Sequence, residues 1–264
     1  MISTATMMTA RTEAEETSRF LADYSSCLWS YGATCIRITK NVSRMALHFG
    51  YKVDMTIFPK HVSVAVTGLD NDDYALYTSA IDSVSVSYNA NSLMSRLSWK
   101  VADGKLSLHD AMSAMDKIKH MPKMSIWTVM LLVVLANASF CRLFGGDIMA
   151  MGIVAFATLL GYTVKNICLT NGVDLRITVI IASYLSAVIG TAGYLFDCTG
   201  TPDIAIGTSV LYLIPGIPYI NSVSDMLDGH YLCFFSRIMQ AVILTGCIAA
   251  GLTLGFLTMN MDVF

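Results

Sequence analysis

The second half of the chain alternates long apolar segments with short polar turns. A helix needs about 20 mostly apolar residues to cross the hydrocarbon of a bilayer, and five segments come near that length. They cover residues 124–141, 147–164, 177–195, 204–220 and 237–257. Residues 123–264 are therefore predicted to form about five transmembrane helices in contact with membrane lipid.

Residues 1–122 show shorter periodicities, which are typical of a small α+β domain. Apolar positions at helical spacing give way to strict alternation, which indicates strands, and then return to helical spacing. The predicted elements are helices over 12–49, interrupted at Gly32, and over 91–119, interrupted at 103–105, with strands over 51–68 and 74–86. The predicted fold class is thus an α-helical integral membrane protein with an N-terminal cytosolic α+β domain.

Charge is scarce and lies mostly in the first half of the chain. Only 14% of the 264 residues are charged, whereas a typical soluble domain carries about 25%. The formal net charge is −2, and the chain has no basic tract of the kind that nucleic-acid-binding proteins use. The composition favours a membrane protein and argues against a nucleic-acid partner.

Candidate catalytic and metal-binding patterns are weak. The seven cysteines include no C-x-x-C pair and no accompanying histidine cluster, which indicates buried thiols and predicts neither a metal site nor a cofactor. Asp110, Asp116 and His109 lie close in sequence but match no metal or nucleophile template. We expect no enzymatic activity; a membrane-tethered hydrolase is the alternative that such a cluster would favour.

Basic residues near the predicted spans indicate an orientation. Lys117, Lys119, His120 and Lys123 precede the first span, and Lys and Arg are enriched in cytoplasmic loops. With this orientation, Arg142 is the only Lys or Arg near the spans on the opposite side of the membrane. The prediction is a multi-pass protein of the bacterial inner membrane with a cytoplasmic N-terminal domain.

The fourth predicted span is interrupted by prolines. Pro215 lacks a backbone N–H, so the carbonyl of Leu211 loses its α-helical partner. A helix broken beside polar side chains is a common solute site in transporters, and Asn221, Ser222 and Asp225 follow the break. A Pro-kinked helix end with a polar turn explains the same residues, and the segment alone leaves both interpretations open.

Asn137 lies inside the first predicted span. An amide within the membrane normally faces other helices, where it holds them together through hydrogen bonds. It can also contact a transported solute. The sequence leaves both roles open and favours the helix-packing role.

Three stretches, in the same order along the chain, resemble segments of a known family. They are Gly32-Ala33-Thr34-Cys35-Ile36-Arg37, Gly104-Lys105-Leu106-Ser107, and Pro215-Gly216 followed by Asn221-Ser222, Asp225 and Gly229. They resemble motifs of the threonine/serine exporter-like proteins, specifically their N-terminal module. In the first motif Thr34 replaces the usual glutamate of the family. The third stretch is the most specific, and Arg237 follows it.

The resemblance implies secondary export of a small polar metabolite, threonine, serine or a related amino acid. It assigns substrate contacts to the region of the break and ion coupling to the charged residues that follow. The implied substrate-binding residues are Pro215, Gly216, Asn221 and Ser222, with Asn137 added from the first span; the implied coupling residues are Asp225, Asp228 and Arg237; the motif of the cytosolic domain contributes Gly32, Ala33 and Arg37.

The odd number of predicted spans and the resemblance together imply half of a transport machine. The expected partner is a second, small membrane subunit of the same family, or another copy of the chain. Two alternatives stay open: export of a succinate-like dicarboxylate, and a regulatory or scaffolding subunit without its own transport site.

Overall fold

The computed structural model describes residues 12–70, 73–82, 85–122 and 124–260. These residues form two compact units. The first comprises the described residues of Met1–Met121 together with Ile217–Ile238, and the second comprises those of Pro122–Gly216 together with Met239–Phe264. We call them the α+β unit and the apolar-helix unit. Lys123, which the orientation argument used, lies outside the described residues.

The α+β unit contains the helices and strands that the sequence predicts for the N-terminal region. They are α1 (Glu13–Ser30), α2 (Cys35–His48), β1 (Tyr51–Ile57), β2 (His61–Gly68), β3 (Tyr74–Ala80), α3 (Tyr88–Ala102) and α4 (Leu108–Lys119). Ser107 caps α4 by accepting a hydrogen bond from the backbone N–H of Asp110. The third strand ends at Ala80, earlier than the predicted 74–86.

The three strands form one antiparallel sheet in the order β1-β2-β3. Val62, Val64 and Val66 are fully buried on the central strand, as the alternation of apolar positions predicts. The hydroxyl of Ser18 on α1 donates to the Val64 carbonyl at 2.9 Å. This bond fixes α1 against the sheet and places its C-terminal end in the same core.

The turn between α1 and α2 has a geometry that glycine permits. Gly32 has φ +82°, in the left-handed region that favours glycine. The N–H of Gly32 donates to the Trp29 carbonyl, and that of Ala33 donates to the Leu28 carbonyl. This pair of bonds is the Schellman ending of a helix, so the predicted interruption at Gly32 is confirmed.

Four helices among the described residues are long and apolar enough to cross a membrane. They are α5 (Ile126–Leu143), α6 (Ile148–Thr170), α7 (Leu175–Leu195) and α10 (Tyr231–Thr258). The number rises to five if the broken helical pair between α7 and α10 counts as one span. This agrees with the prediction of about five spans, and α10 begins ahead of its predicted start at residue 237.

The interruption predicted at Pro215 is present. The chain forms α8 (Pro202–Thr208), a short 3-10 helix (Leu211–Leu213), an extended residue at Ile214, and then α9 (Gly216–Leu227). The Leu211 carbonyl does not stay unpaired, because it accepts a hydrogen bond from the Ile214 N–H at 3.1 Å. A tighter 3-10 turn therefore replaces the α-helical bond that proline removes.

Candidate functional site

The N-terminus of α2 receives its cap from a distant part of the chain. Thr34 occupies the N-cap position, but its side chain makes no capping hydrogen bond. The carboxylate of Asp225 on α9 accepts from the Cys35 N–H at 2.9 Å instead. A negative charge is favourable at this end of a helix, where unpaired N–H groups and the helix dipole present positive charge.

Arg237 on α10 completes a buried ion pair with this carboxylate. Its Nε lies 3.3 Å from Oδ2 of Asp225, and its Nη2 donates to the Ala33 carbonyl at 2.7 Å. The guanidinium also stacks on the Trp29 ring, 3.8 Å from the ring centroid. Asp225 is 0% exposed and Arg237 is 8% exposed, so solvent screens this pair far less than a surface pair.

The ion pair keeps unused hydrogen-bonding capacity. Among the described residues, neither Oδ2 of Asp225 nor Nη1 of Arg237 has a hydrogen-bond partner. A buried ion pair stabilises a fold only when its geometry and additional hydrogen bonds offset the loss of hydration. Removing either partner would leave the other charge buried and uncompensated.

Asn221 adds a third contact to the same turn. Its Nδ2 donates to the Gly32 carbonyl at 2.8 Å. The backbone groups of Gly32, Ala33 and Cys35 are therefore bound by Asn221, Arg237 and Asp225 respectively. We call this set the 32–35 junction. Two of the motifs recognised in the sequence thus meet in space, although about 190 residues separate them in the chain.

Two buried thiols lie beside the junction. Cys35 is 0% exposed and Cys233 is 1% exposed, and the Cys233 thiol donates to the Ile57 carbonyl at 3.3 Å. A hydrogen bond with the Cys233 side chain, together with burial, raises the pKa of the Cys35 thiol. Cys35 therefore stays protonated and unreactive near neutral pH.

The other predicted residues near the break make no contact with the 32–35 junction among the hydrogen bonds of the described residues. Ser222 is buried and donates to the Tyr219 carbonyl of its own helix at 2.7 Å. Asp228 is exposed, and its Oδ2 lies 3.5 Å from the Ser224 hydroxyl. Pro215 is buried, and a Cβ added to Gly216 would meet nothing within 4 Å. Arg237 thus pairs with Asp225 and not with Asp228.

Arg37, from the first motif, lies on the exposed side of α2. Its Nη1 donates to Oδ1 of Asn91 on α3 at 3.0 Å. This contact joins two helices of the α+β unit, so Arg37 takes no part in the 32–35 junction.

Asn137 lies in the apolar-helix unit and is 2% exposed. Its Nδ2 donates to the Thr158 hydroxyl at 2.6 Å and to the Thr208 carbonyl at 3.2 Å. A single amide therefore connects α5, α6 and α8. This is the interhelical bonding that an intramembrane amide is expected to make.

Sequence reasoning missed several partners in these networks. Trp29, Cys35 and Thr158 contribute an aromatic face, a backbone N–H and a hydroxyl, and each of these groups is ordinary in its local sequence. The local sequence does not mark such groups as binding partners, and only the three-dimensional structure shows which distant side chains they contact. No cluster of His, Cys, Asp or Glu within the described residues has the arrangement of a metal site.

Comparisons with known proteins identify a family for the chain. The sequence profile described as "Putative threonine/serine exporter" matches residues 19–259. A protein of Escherichia coli (strain K12) named "Probable succinate transporter subunit YjjP" is 31% identical over 129 residues, which cover 48% of this chain and 50% of that protein.

A protein of the same name from Klebsiella aerogenes is 32% identical over 120 residues, which cover 45% of this chain and 46% of that protein. The chain thus spans about half the length of the curated relatives it matches. No solved structure matches it significantly. Since the family profile covers nearly the whole chain and four apolar helices are of spanning length, this multi-pass membrane protein belongs to the threonine/serine exporter family.

Proposed function

We propose that the chain is a subunit of a secondary exporter that carries a small carboxylic acid out of the bacterial cytoplasm across the inner membrane. The match of the family profile to residues 19–259 is the observation that carries this proposal. The break between α8 and α9 supports it, because interrupted helices are where transporters commonly hold polar solutes. The N-terminal part of the α+β unit, residues 12–121, lies in the cytoplasm, as Lys117, Lys119 and His120 before α5 favour.

The two substrate classes under consideration share a carboxylate. The family description favours threonine or serine, and the names of the two relatives favour a succinate-like dicarboxylate. We put the dicarboxylate first, because those names belong to individual proteins aligned with this chain. The word "subunit" in the same names supports a second membrane subunit as the partner, with a homo-oligomer as the alternative.

In this proposal the 32–35 junction transmits ion coupling. Asp225 is its ionisable group, and Arg237 holds the carboxylate at the N-terminus of α2. Pro215 and Gly216 lie at the break, and Asn221 and Ser222 follow it on α9. Asn221 attaches α9 to the Gly32 carbonyl, and Arg237 attaches α10 to the Ala33 carbonyl. Asp228 is the weaker coupling candidate because it is exposed.

Efflux from the cells that produce the protein tests the proposal, because those cells also supply any partner. The gene is deleted, cells are loaded with radiolabelled succinate, L-threonine or L-serine, and efflux is measured. We expect deletion to slow efflux of at least one of these acids, and we expect the wild-type gene and an Asp203→Asn control to restore it. Asp225→Asn should not restore it at equal protein level. Unchanged efflux of all three acids after deletion would overturn the proposal.

A regulatory or scaffolding role predicts a different result. Purified chain alone in proteoliposomes would then transport none of the three acids, whereas the partner alone would. Transport by the chain together with its partner, but by neither protein alone, supports a shared machine.

A further inference from the structure

The apolar-helix unit contains a second polar network next to Asn137. The hydroxyl oxygens of Ser186 on α7 and Tyr212 in the 3-10 helix lie 3.1 Å apart. Gly161 on α6 faces this pair, since a Cβ added there would collide with the Tyr212 hydroxyl and lie 2.6 Å from the Ser186 Oγ. Glycine at this position therefore makes the close approach of the two hydroxyls possible.

The two networks are neighbours along the chain. Thr158, which receives the Asn137 bond, lies three residues before Gly161 and shares its face of α6. Thr208, whose carbonyl also receives an Asn137 bond, ends α8 four residues before Tyr212. We call the set Asn137, Thr158, Ser186, Tyr212 and the Thr208 carbonyl the polar seam.

The seam lies within the spanning helices and not at their ends. Thr158 and Ser186 are at least two turns from either end of α6 and α7, Asn137 lies six residues before the end of α5, and each is at most 2% exposed. Polar groups at this depth of a membrane are costly unless they bond each other or serve function. The seam also meets the chain where α8 gives way to the 3-10 helix.

The seam holds an unused donor. Two hydroxyl groups carry two protons, and the bond between Ser186 and Tyr212 uses only one of them. Among the described residues, no other hydrogen bond involves either oxygen. Ser186 is buried and Tyr212 is half-buried, so the remaining hydroxyl proton lies in a largely apolar setting, where an acceptor is favourable. An acceptor-only ligand such as a carboxylate would satisfy it.

We propose that the polar seam is a binding site for the carboxylate of the exported acid, with the Tyr212 and Ser186 hydroxyls as donors. Both N–H groups of the Asn137 amide are already used, by the Thr158 hydroxyl and the Thr208 carbonyl, and hold the adjoining helices in place. The inference rests on the proposed function and adds the place where the solute is held. Both hydroxyl donors are uncharged. They select an acceptor-only group without the strong attraction of a buried cation, so the acid can leave again.

A purely structural seam makes different predictions. Interhelical hydrogen bonds in membrane proteins contribute on average only a small stabilisation, and their loss would change the melting temperature of the unliganded protein and not its response to solute. Tyr212→Phe and Ser186→Ala remove one hydroxyl each and keep the remaining shape. Thr253→Val is the matched control, because its hydroxyl is on an exposed face of α10 and bonds only the Ala249 carbonyl of its own helix.

The test combines solute binding and efflux. Melting of the purified full-length chain is followed with and without succinate or L-threonine, and efflux is measured in producing cells that carry each variant. We expect the solute-induced stabilisation seen in wild type and Thr253→Val to disappear in Tyr212→Phe and Ser186→Ala. We also expect efflux to fall about tenfold or more, as for loss of a hydrogen bond to a charged group.

The outcomes separate this inference from the proposed function. If the wild-type protein exports the acid and both variants keep full efflux and full stabilisation by solute, the seam is not the binding site. The proposed exporter function would then still hold. A lower melting temperature without solute, combined with an unchanged solute response, also overturns the seam as a binding site in favour of helix packing. Loss of both functions in the variants, with wild-type efflux present, supports it. Absence of any efflux defect on gene deletion removes the proposed function and the seam together.

Discussion

The Asp225 carboxylate accepts a hydrogen bond from the backbone N–H of Cys35 at 2.9 Å, across 190 residues of sequence. The bond gives α2 the N-terminal cap that its own Thr34 side chain does not provide. It also joins two of the three motifs that carry the family resemblance. The stability of the α+β unit therefore depends on a residue that lies next to the broken helix.

Replacing Asp225 with asparagine keeps the shape but removes the charge. Arg237 is then buried without a counter-charge, which typically costs about 3–5 kcal/mol. We expect Asp225→Asn to lower the melting temperature of the purified full-length chain strongly. Asp228→Asn is the control, since Asp228 is exposed, and it should change little. Equal melting temperatures for both variants would contradict the importance of the ion pair.

Replacing Arg237 with lysine keeps the charge but loses the planar group. The Nη2 bond to the Ala33 carbonyl and the stacking on Trp29 both need the guanidinium, and lysine provides neither in the same geometry. We expect Arg237→Lys to destabilise the chain by about 1–3 kcal/mol, less than Asp225→Asn. Chemical denaturation of the two variants side by side measures the difference. If Arg237→Lys were as stable as the wild-type protein, the positive charge alone would explain how residue 237 stabilises the junction.

The close contact at Gly161 predicts a size limit on α6. A methyl group there meets the Tyr212 and Ser186 hydroxyls, and such overpacking costs about 1–3 kcal/mol. Gly152, on the same helix, has nothing within 4 Å of an added Cβ, so alanine there should be neutral or stabilising by up to about 1 kcal/mol. Melting temperatures of Gly161→Ala and Gly152→Ala compare the two positions. A tolerated Gly161→Ala would mean that Tyr212 does not approach α6 this closely.

Thiol labelling reports on the junction directly. The raised pKa of the Cys35 thiol and its complete burial should prevent alkylation by iodoacetamide near neutral pH, because the thiolate is the reactive form. Cys198 is exposed and should react first. Mass spectrometry of the labelled full-length chain identifies the modified residues.

The same labelling tests whether the ion pair of Asp225 and Arg237 keeps the reagent away from Cys35. In Asp225→Asn the Cys35 N–H loses a charged acceptor and the turn loosens, so labelling of Cys35 should become faster while that of Cys198 stays the same. Rapid labelling of Cys35 in the wild-type chain would contradict the burial of the junction.

The sequence alone determined the elements of this protein. An apolar stretch of about 20 residues is long enough to cross a bilayer, and a helix satisfies its backbone hydrogen bonds there. The helices α5, α6, α7 and α10 therefore follow from composition and length. The alternation at Val62, Val64 and Val66 predicts a strand with one buried face. Gly32 and Pro215 predict interruptions because the first permits left-handed backbone and the second lacks a donor. These are local properties, readable at the residue concerned.

Only the tertiary structure decided which distant groups meet. The sequence identified Asn221, Asp225 and Arg237 as candidates, but it did not indicate that they bind the backbone of residues 32–35. Backbone carbonyls and N–H groups are identical in every residue, so no sequence pattern marks the ones that a distant side chain will use. The contact of Ser186 and Tyr212 with Gly161 is hidden for the same reason, because these residue types are common in membrane helices and meet only through packing.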